Sequence, residues 1–168
     1  MNFSVLMSIY IKEKASFLNE CFESIWIKQC FKPNEIVVVL DGPITPDLSK
    51  VLVFWKSILN DVLKIIILEK NVGLGNALNI GLRNCSNEWV FRMDTDDICM
   101  PDRFEKQLAF IESNPDVVLF GGQVLEFENE PNDFQVLKSV PTTNEEIRLF
   151  SQKRCPFNHM TVAYKKSI

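Results

Sequence analysis

Glu35-Ile36-Val37-Val38-Val39-Leu40-Asp41-Gly42-Pro43 is a β-branched run that stops at a turn, and Thr45-Pro46 follows as a helix cap and first helical residue. Leu48, Val51, Leu52, Trp55, Ile58 and Leu59 then recur at helical spacing. A buried strand, a polar strand end and a returning helix form one half of a βαβ unit. The same cycle recurs on both sides. Phe3 to Ile9 is an apolar run too short for a helix. Phe17, Leu18, Cys21, Phe22, Ile25 and Trp26 follow at helical spacing, with Ser16 placed to cap them. Downstream lie a strand over Leu63 to Leu68, a helix over Gly73 to Arg83 and a strand over Trp89 to Met93. A helix opened by Pro101 runs to about Asn114, and a fifth strand spans Val117 to Gly121. Beyond Gly122 the regularity fades into a short strand at Val124 to Phe127, a helix at Asn144 to Phe150 and a last strand at Met160 to Tyr164. This alternation predicts an α/β fold with a mostly parallel, Rossmann-like sheet and helices on both faces.

Composition narrows the function. The chain has 168 residues, 46% hydrophobic and 24% charged, with mean hydropathy +0.02. A chain of this length buries about 70% of its unfolded surface, so one globular domain over 1–168 is expected. Net charge −4 and pI ≈ 5.1 argue against a phosphate-coating protein, so no nucleic-acid partner is expected. No apolar run reaches the roughly 18 residues of a membrane span, and the N-terminus lacks a signal-peptide layout. The expected location is the cytoplasm. Five cysteines without a C-x-x-C, and a single histidine, read as reduced thiols rather than as a zinc site.

Ligands of such sheets bind beyond the carboxyl ends of the strands. The residues to weigh there are Ser8 and Tyr10, Asp41, Asn71, and the cluster Asp94, Asp96 and Asp97. Two carboxylates about 4 Å apart repel by roughly 4 kcal/mol at an effective dielectric near 20. They point apart into water, pair with Arg92 or Arg103, or share a hard divalent cation such as Mg²⁺ or Mn²⁺. Asn71-Val72-Gly73-Leu74-Gly75 lacks the third glycine of a dinucleotide fingerprint and the G-K-[ST] of a phosphate loop. Taken alone, it is a helix-opening turn.

Taken in order, four segments carry a resemblance: Ser4 to Tyr10, Glu35 to Gly42, Asn71-x-Gly73-x-x-x-Ala77-x-Asn79-x-Gly81, and Arg92-Met-Asp94-Thr-Asp96-Asp97. Together they resemble the nucleotide-sugar half of family 2 glycosyltransferases with the GT-A fold. The likeness continues through Met100 to Phe104 and Pro156 to Thr161, and is nearest to bacterial transferases of amylovoran, capsule and O-antigen assembly. The resemblance implies a nucleotide-sugar donor, UDP-linked, and a lipid-linked oligosaccharide acceptor met at the inner membrane, with room for peripheral membrane contact. It implies that Ser8 and Tyr10 line the base and ribose pocket and that Asp41 accepts the uracil N3–H. Asn71 and Gly73 would sit over the nucleotide, and Asp94 would face the ribose. Asp96, with Asp97 as neighbour or further ligand, would hold Mn or Mg. His159 would lie near the donor–acceptor junction or serve as a plain hydrogen-bonded histidine.

The family's general base lies C-terminal to the segment resembling Pro156 to Ser167, so the base and much of the acceptor site are expected to be missing from this chain. Asp102, Glu126 and Glu128 are the fallback candidates. Uncovered apolar faces near the last strand would then favour self-association. Two other readings stay open: an inactive nucleotide-sugar-binding remnant, and a Mg-dependent phosphohydrolase or nucleotidyltransferase built on the Asp cluster.

Overall fold

A computed structural model describes residues 1–128, 131, 133 and 135–168. Strands β1 (Phe3–Ile9), β2 (Glu35–Leu40), β3 (Leu63–Ile67) and β4 (Trp89–Arg92) run parallel. Two late strands, β5 (Leu119–Phe120) and β8 (Ala163–Lys165), complete a six-stranded sheet of order β3-β2-β1-β4-β8-β5. β8 runs antiparallel to both of its neighbours. A separate antiparallel hairpin joins β6 (Val124–Phe127) to β7 (Gln135–Lys138).

The alternating side chains of β1 and β2 build two cores. Phe3, Val5, Met7 and Ile9 pack with Ile36, Val38 and Leu40 under α1 (Ala15–Phe22), α2 (Pro46–Leu59) and α4 (Arg103–Ser113). Leu6, Val37 and Val39 pack on the other face with Ala77 of α3 (Leu74–Asn84). Helices therefore cover both faces, as the alternation predicts. Gly81 explains how closely α3 sits: a Cβ there would lie 2.4 Å from Leu6 Cδ1 and 2.7 Å from Val39 Cγ2.

Several boundaries move. Lys14, not Ser16, is the N-cap of α1, without a side-chain cap. Glu23–Ile27 then widens into a π-helical turn closed by Lys28 N–H to the Glu23 carbonyl at 2.9 Å. The wide turn has a use. Ser24 Oγ accepts from the Cys99 N–H at 3.0 Å, and Gln29 Nε2 donates to the Met100 carbonyl at 2.8 Å, which pins the loop after the Asp cluster. The fourth helix starts two residues after Pro101, at Arg103, and the fifth strand shrinks to two residues. The last strand is Ala163–Lys165 rather than Met160 to Tyr164, because His159–Thr161 form a 3₁₀ turn. α5 (Asn144–Ser151) begins at a capping box between Thr143 and Glu146.

All five cysteines are free thiols; Cys21, Cys85 and Cys99 are buried, and Cys30 and Cys155 are exposed. Among the described residues no helix is long and apolar enough to cross a membrane.

Candidate functional site

Four parallel strands end on one edge, and their polar ends close around a cleft of about 340 Å³. It is lined by Ser8 and Tyr10 after β1, Asp41 after β2, Asn71 and Gly73 after β3, and Asp94 and Asp96 after β4. Seven of the nine residues singled out in the sequence therefore meet in one place. Glu13, Leu74 and Thr95 complete the wall. Glu13 and Thr95 escaped the sequence reading. An acid four residues past a strand end was the available signal for the first, and a threonine between two aspartates gave none for the second.

Asp41 is almost fully buried, and its carboxylate binds backbone. Oδ1 accepts from the Val72 N–H at 2.7 Å and Oδ2 from the Gly73 N–H at 3.1 Å. Asn71 Nδ2 donates to the Asp41 carbonyl at 3.3 Å, and Asn71 Oδ1 also accepts from the Gly73 N–H at 3.2 Å. Asp41 thus shapes the turn that opens α3. Gly42 has φ +89, and a Cβ on it would stand 2.7 Å from Asn71 N, so the close approach of the two loops requires glycine. The first turn of α3 opens on the cleft from Gly73 without a side-chain cap.

The β4 end is held from below. Arg92 is 5% exposed; it ion-pairs with Asp94 and donates to the Met93 carbonyl. Arg103 does not neutralise the cluster by pairing: its Nη2 donates to the Arg92 carbonyl at 2.8 Å and its Nε to Gln107 Oε1 at 3.0 Å. Asp96 is exposed at the cleft. Asp97 turns away from it, and its Oδ2 is buried with no hydrogen-bond partner. Burial first, then the charges of Asp94 and Asp96, push its carboxyl up to about 6 against the pull of Arg103 and Arg92. Glu13 is raised by burial and by Asp96, while the Thr95 hydroxyl draws it down.

His159 stands outside the cleft wall, exposed, with Nε2 3.6 Å from Cys155 Sγ. Asp102 is tied to Lys106 at 2.6 Å and Glu126 to Lys138 at 2.7 Å, and neither of them nor Glu128 lines the cleft.

The lining carries four acids and no Lys, Arg or His. A diphosphate brought here meets only like charge, so the donor set fits a hard cation shared between carboxylate and ligand oxygens. Among the described residues no three His, Cys, Asp or Glu side chains are grouped to hold a metal ion by themselves. Ligand oxygens must therefore complete such a site.

The sequence profile described as "Glycosyl transferase family 2" matches residues 4–168. The chain belongs to glycosyl transferase family 2. Among its relatives in the family, an uncharacterized glycosyltransferase of Haemophilus influenzae is 58% identical over 99% of this chain and 61% of its own length. The amylovoran biosynthesis glycosyltransferase AmsE of Erwinia amylovora is 48% identical over 98% of this chain and 60% of its own. The UDP-Gal:alpha-D-GlcNAc-diphosphoundecaprenol beta-1,3-galactosyltransferase of Escherichia coli is 44% identical over 98% and 58%. The chain thus spans about three-fifths of the length of these family 2 relatives. S. aureus TarS (residues 1–349) superposes on the family fold at TM-score 0.69 with 25% identity, covering 99% of this chain and 48% of that one.

Proposed function

We propose that this chain is the donor-binding part of a transferase that moves a sugar from a UDP-sugar to a lipid-diphosphate-linked oligosaccharide in surface-polysaccharide assembly, with inversion. The observation that carries the reading is the single cleft in which Ser8, Tyr10, Asp41, Asn71, Gly73, Asp94 and Asp96 converge with no basic residue among them. The names of the amylovoran and UDP-Gal relatives support the substrate classes.

Ser8 and Tyr10 flank the place proposed for base and ribose. Asp41 presents the turn at Asn71 to Gly73 to the nucleotide, and its remaining lone pairs are the proposed acceptors for the uracil N3–H. Asp94 is the proposed ribose contact, oriented by Arg92. Asp96, with Asp97 beside it, is the proposed holder of Mn or Mg. When bound, the cation supplies Lewis-acid stabilisation of the departing diphosphate. His159 belongs, in this reading, to the rim where donor and acceptor meet. The acceptor is met at the cytoplasmic face of the inner membrane, which places the protein in the cytoplasm or peripheral to that membrane.

Calorimetric titration of UDP with Mn²⁺, and again with EDTA, tests the donor site; binding that EDTA leaves unchanged would overturn the cation's part. Sugar transfer from a radiolabelled UDP-sugar to a lipid-linked acceptor tests the activity. Phosphate release from simple phosphoesters without UDP binding would overturn the transferase reading.

A further inference from the structure

β4 and β8 stay paired as far as Phe91 and Ala163, and one further bond runs from the Arg92 N–H to the Val162 carbonyl at 2.8 Å. Beyond that rung the two segments part. One becomes the turn that carries Asp94 and Asp96, and the other becomes the 3₁₀ turn His159–Thr161. Two side chains of α4, one helical turn apart, stand in the gap. Arg103 Nη2 donates to the Arg92 carbonyl at 2.8 Å, and its Nη1 lies 3.1 Å from Met93 Sδ. Arg103 Nε donates to Gln107 Oε1 at 3.0 Å, and Gln107 Nε2 donates to the Thr161 carbonyl at 2.9 Å. One helix thus satisfies a carbonyl on each branch. On the first branch the Arg92 side chain pairs in turn with Asp94. On the second, Thr161 Oγ1 donates to the Asn158 carbonyl at 2.8 Å and accepts from the Gly122 N–H at 2.8 Å, which fixes the turn on which His159 stands.

We propose that Arg103 and Gln107 are positioning residues: their chain of hydrogen bonds fixes the separation of the Asp94–Asp96 turn from the His159 turn, so that a ligand on the first is felt at the second. The proposal rests on the donor-site reading and on His159 as the rim where donor and acceptor meet. Neither side chain lines the cleft, and neither touches nucleotide in this scheme. Arginine suits the task because Nη2 and Nε lie in one rigid plane and serve the strand and Gln107 together, which a single ammonium on a flexible stem cannot do. Glutamine suits it because one amide both accepts from Arg103 and donates to Thr161.

The single histidine of the chain provides the probe. The full 168-residue chain is compared as wild type, Gln107→Leu, Gln107→Glu, Arg103→Lys and the Arg103→Lys/Gln107→Leu double variant. Each is titrated with UDP and Mg²⁺ by calorimetry, while the His159 imidazole signal is followed by NMR at one pH. Amide hydrogen exchange is measured without ligand at Met93 on one branch and at Thr161 and Val162 on the other, whose N–H groups donate to Leu6, Asn158 and His159 carbonyls. In wild type, UDP with Mg²⁺ should shift the His159 signal. Gln107→Leu and Gln107→Glu should shrink that shift and quicken exchange at Thr161 and Val162 about fivefold, as for one lost neutral hydrogen bond. A glutamate still accepts from Arg103 but cannot donate to Thr161. In Gln107→Glu, Met93 exchange and UDP affinity should therefore stay within about threefold of wild type. Arg103→Lys should loosen both branches, with exchange at Met93 quickened about tenfold, as for a lost bond from a charged group. At Thr161 the double variant should lose less than the two single losses together.

Gln107→Glu that loosens Met93 as much as Thr161 would show a helix weakened as a whole, and would overturn the proposal. Additive losses in the double variant would also overturn it, as would a His159 signal that responds to UDP and Mg²⁺ equally in wild type and Gln107→Leu. Wild-type protein that binds UDP with no response at His159 refutes the coupling and leaves the donor-site reading standing. Should Arg103→Lys fail to fold, the two Gln107 variants decide the matter by the branch they loosen. Wild-type protein that binds no UDP with Mg²⁺ removes the donor-site reading, and the ligand-free exchange data then still confirm or refute the bridge.

Discussion

At the residue scale, Asp97 combines burial, two acidic neighbours and an orphaned oxygen. Its folded carboxyl, at about 6, lies above that of the unfolded chain, so the folded state binds the proton more tightly. The contribution of Asp97 to stability is therefore complete below the ordinary aspartate range and is lost as pH rises from there through about 6. Asp97→Asn should remove that slope and stabilise the metal-free protein at pH 7.5 by on the order of 2 kcal/mol, read from urea melts at pH 4 and 7.5. Asp96 and Asp41 should separate by size of effect. Asp96→Ala, which removes the proposed cation holder, should lower transfer by about 10²-fold or more. Asp41→Ala should weaken UDP binding by about 1–3 kcal/mol, through the loosened turn at Val72 and Gly73 as well as through any contact to the base. The radiolabelled UDP-sugar transfer assay checks the first, and calorimetry with UDP and Mn²⁺ checks the second. An Asp41→Ala protein with wild-type affinity would remove that residue from the site.

At the element scale, the glycine at the β2 end is the sharpest test of how the cleft is built. Gly42→Ala places a methyl group against Asn71 backbone and forces a non-glycine residue to φ +89. It should cost about 1–3 kcal/mol in thermal melts and weaken UDP binding, since the Asn71 turn must shift. The strand–helix alternation and the polar strand ends were legible because they rest on local patterns: unbroken β-branched runs, helical spacing, and a Thr-Pro cap at Thr45 that accepts from the Leu48 N–H at 3.3 Å. What stayed hidden depends on residues far apart in sequence. The π-turn at Glu23–Ile27 follows from Ser24 and Gln29 reaching residues 99 and 100. The three-residue length of β8 and its antiparallel sense follow from pairing with β4 and β5, not from its composition. The side toward which Asp97 turns was equally invisible, because three adjacent acids share one local pattern.

At the scale of the whole molecule, the floor of the sheet is closed by a buried acid. Glu35 accepts from Ser4 Oγ at 2.5 Å, from the Ser86 N–H at 2.8 Å and from Ser86 Oγ at 2.8 Å, opposite the cleft end of β1 and β2. Burial alone would raise its carboxyl, but the hydrogen bonds from Ser4 and Ser86 outweigh burial and hold it below the ordinary range. That contribution is complete above the ordinary glutamate range and is lost as pH falls through the folded value. Glu35→Gln should therefore be less stable at neutral pH and should lose less on acidification, as urea melts between pH 3 and 7 would show. The topology bears on the order of assembly. β4 lies beside β1, yet its other neighbour, β8, is made some seventy residues later. During synthesis the four parallel strands and their helices can dock while the far side of β4 is still a bare edge, directly beneath the turn that holds Asp94 and Asp96. Closing that edge is a long-range step and a slow one. In pulsed exchange during refolding, amides of β1 and β2 should be protected before those of β8, and competence to bind nucleotide should arrive with the later phase.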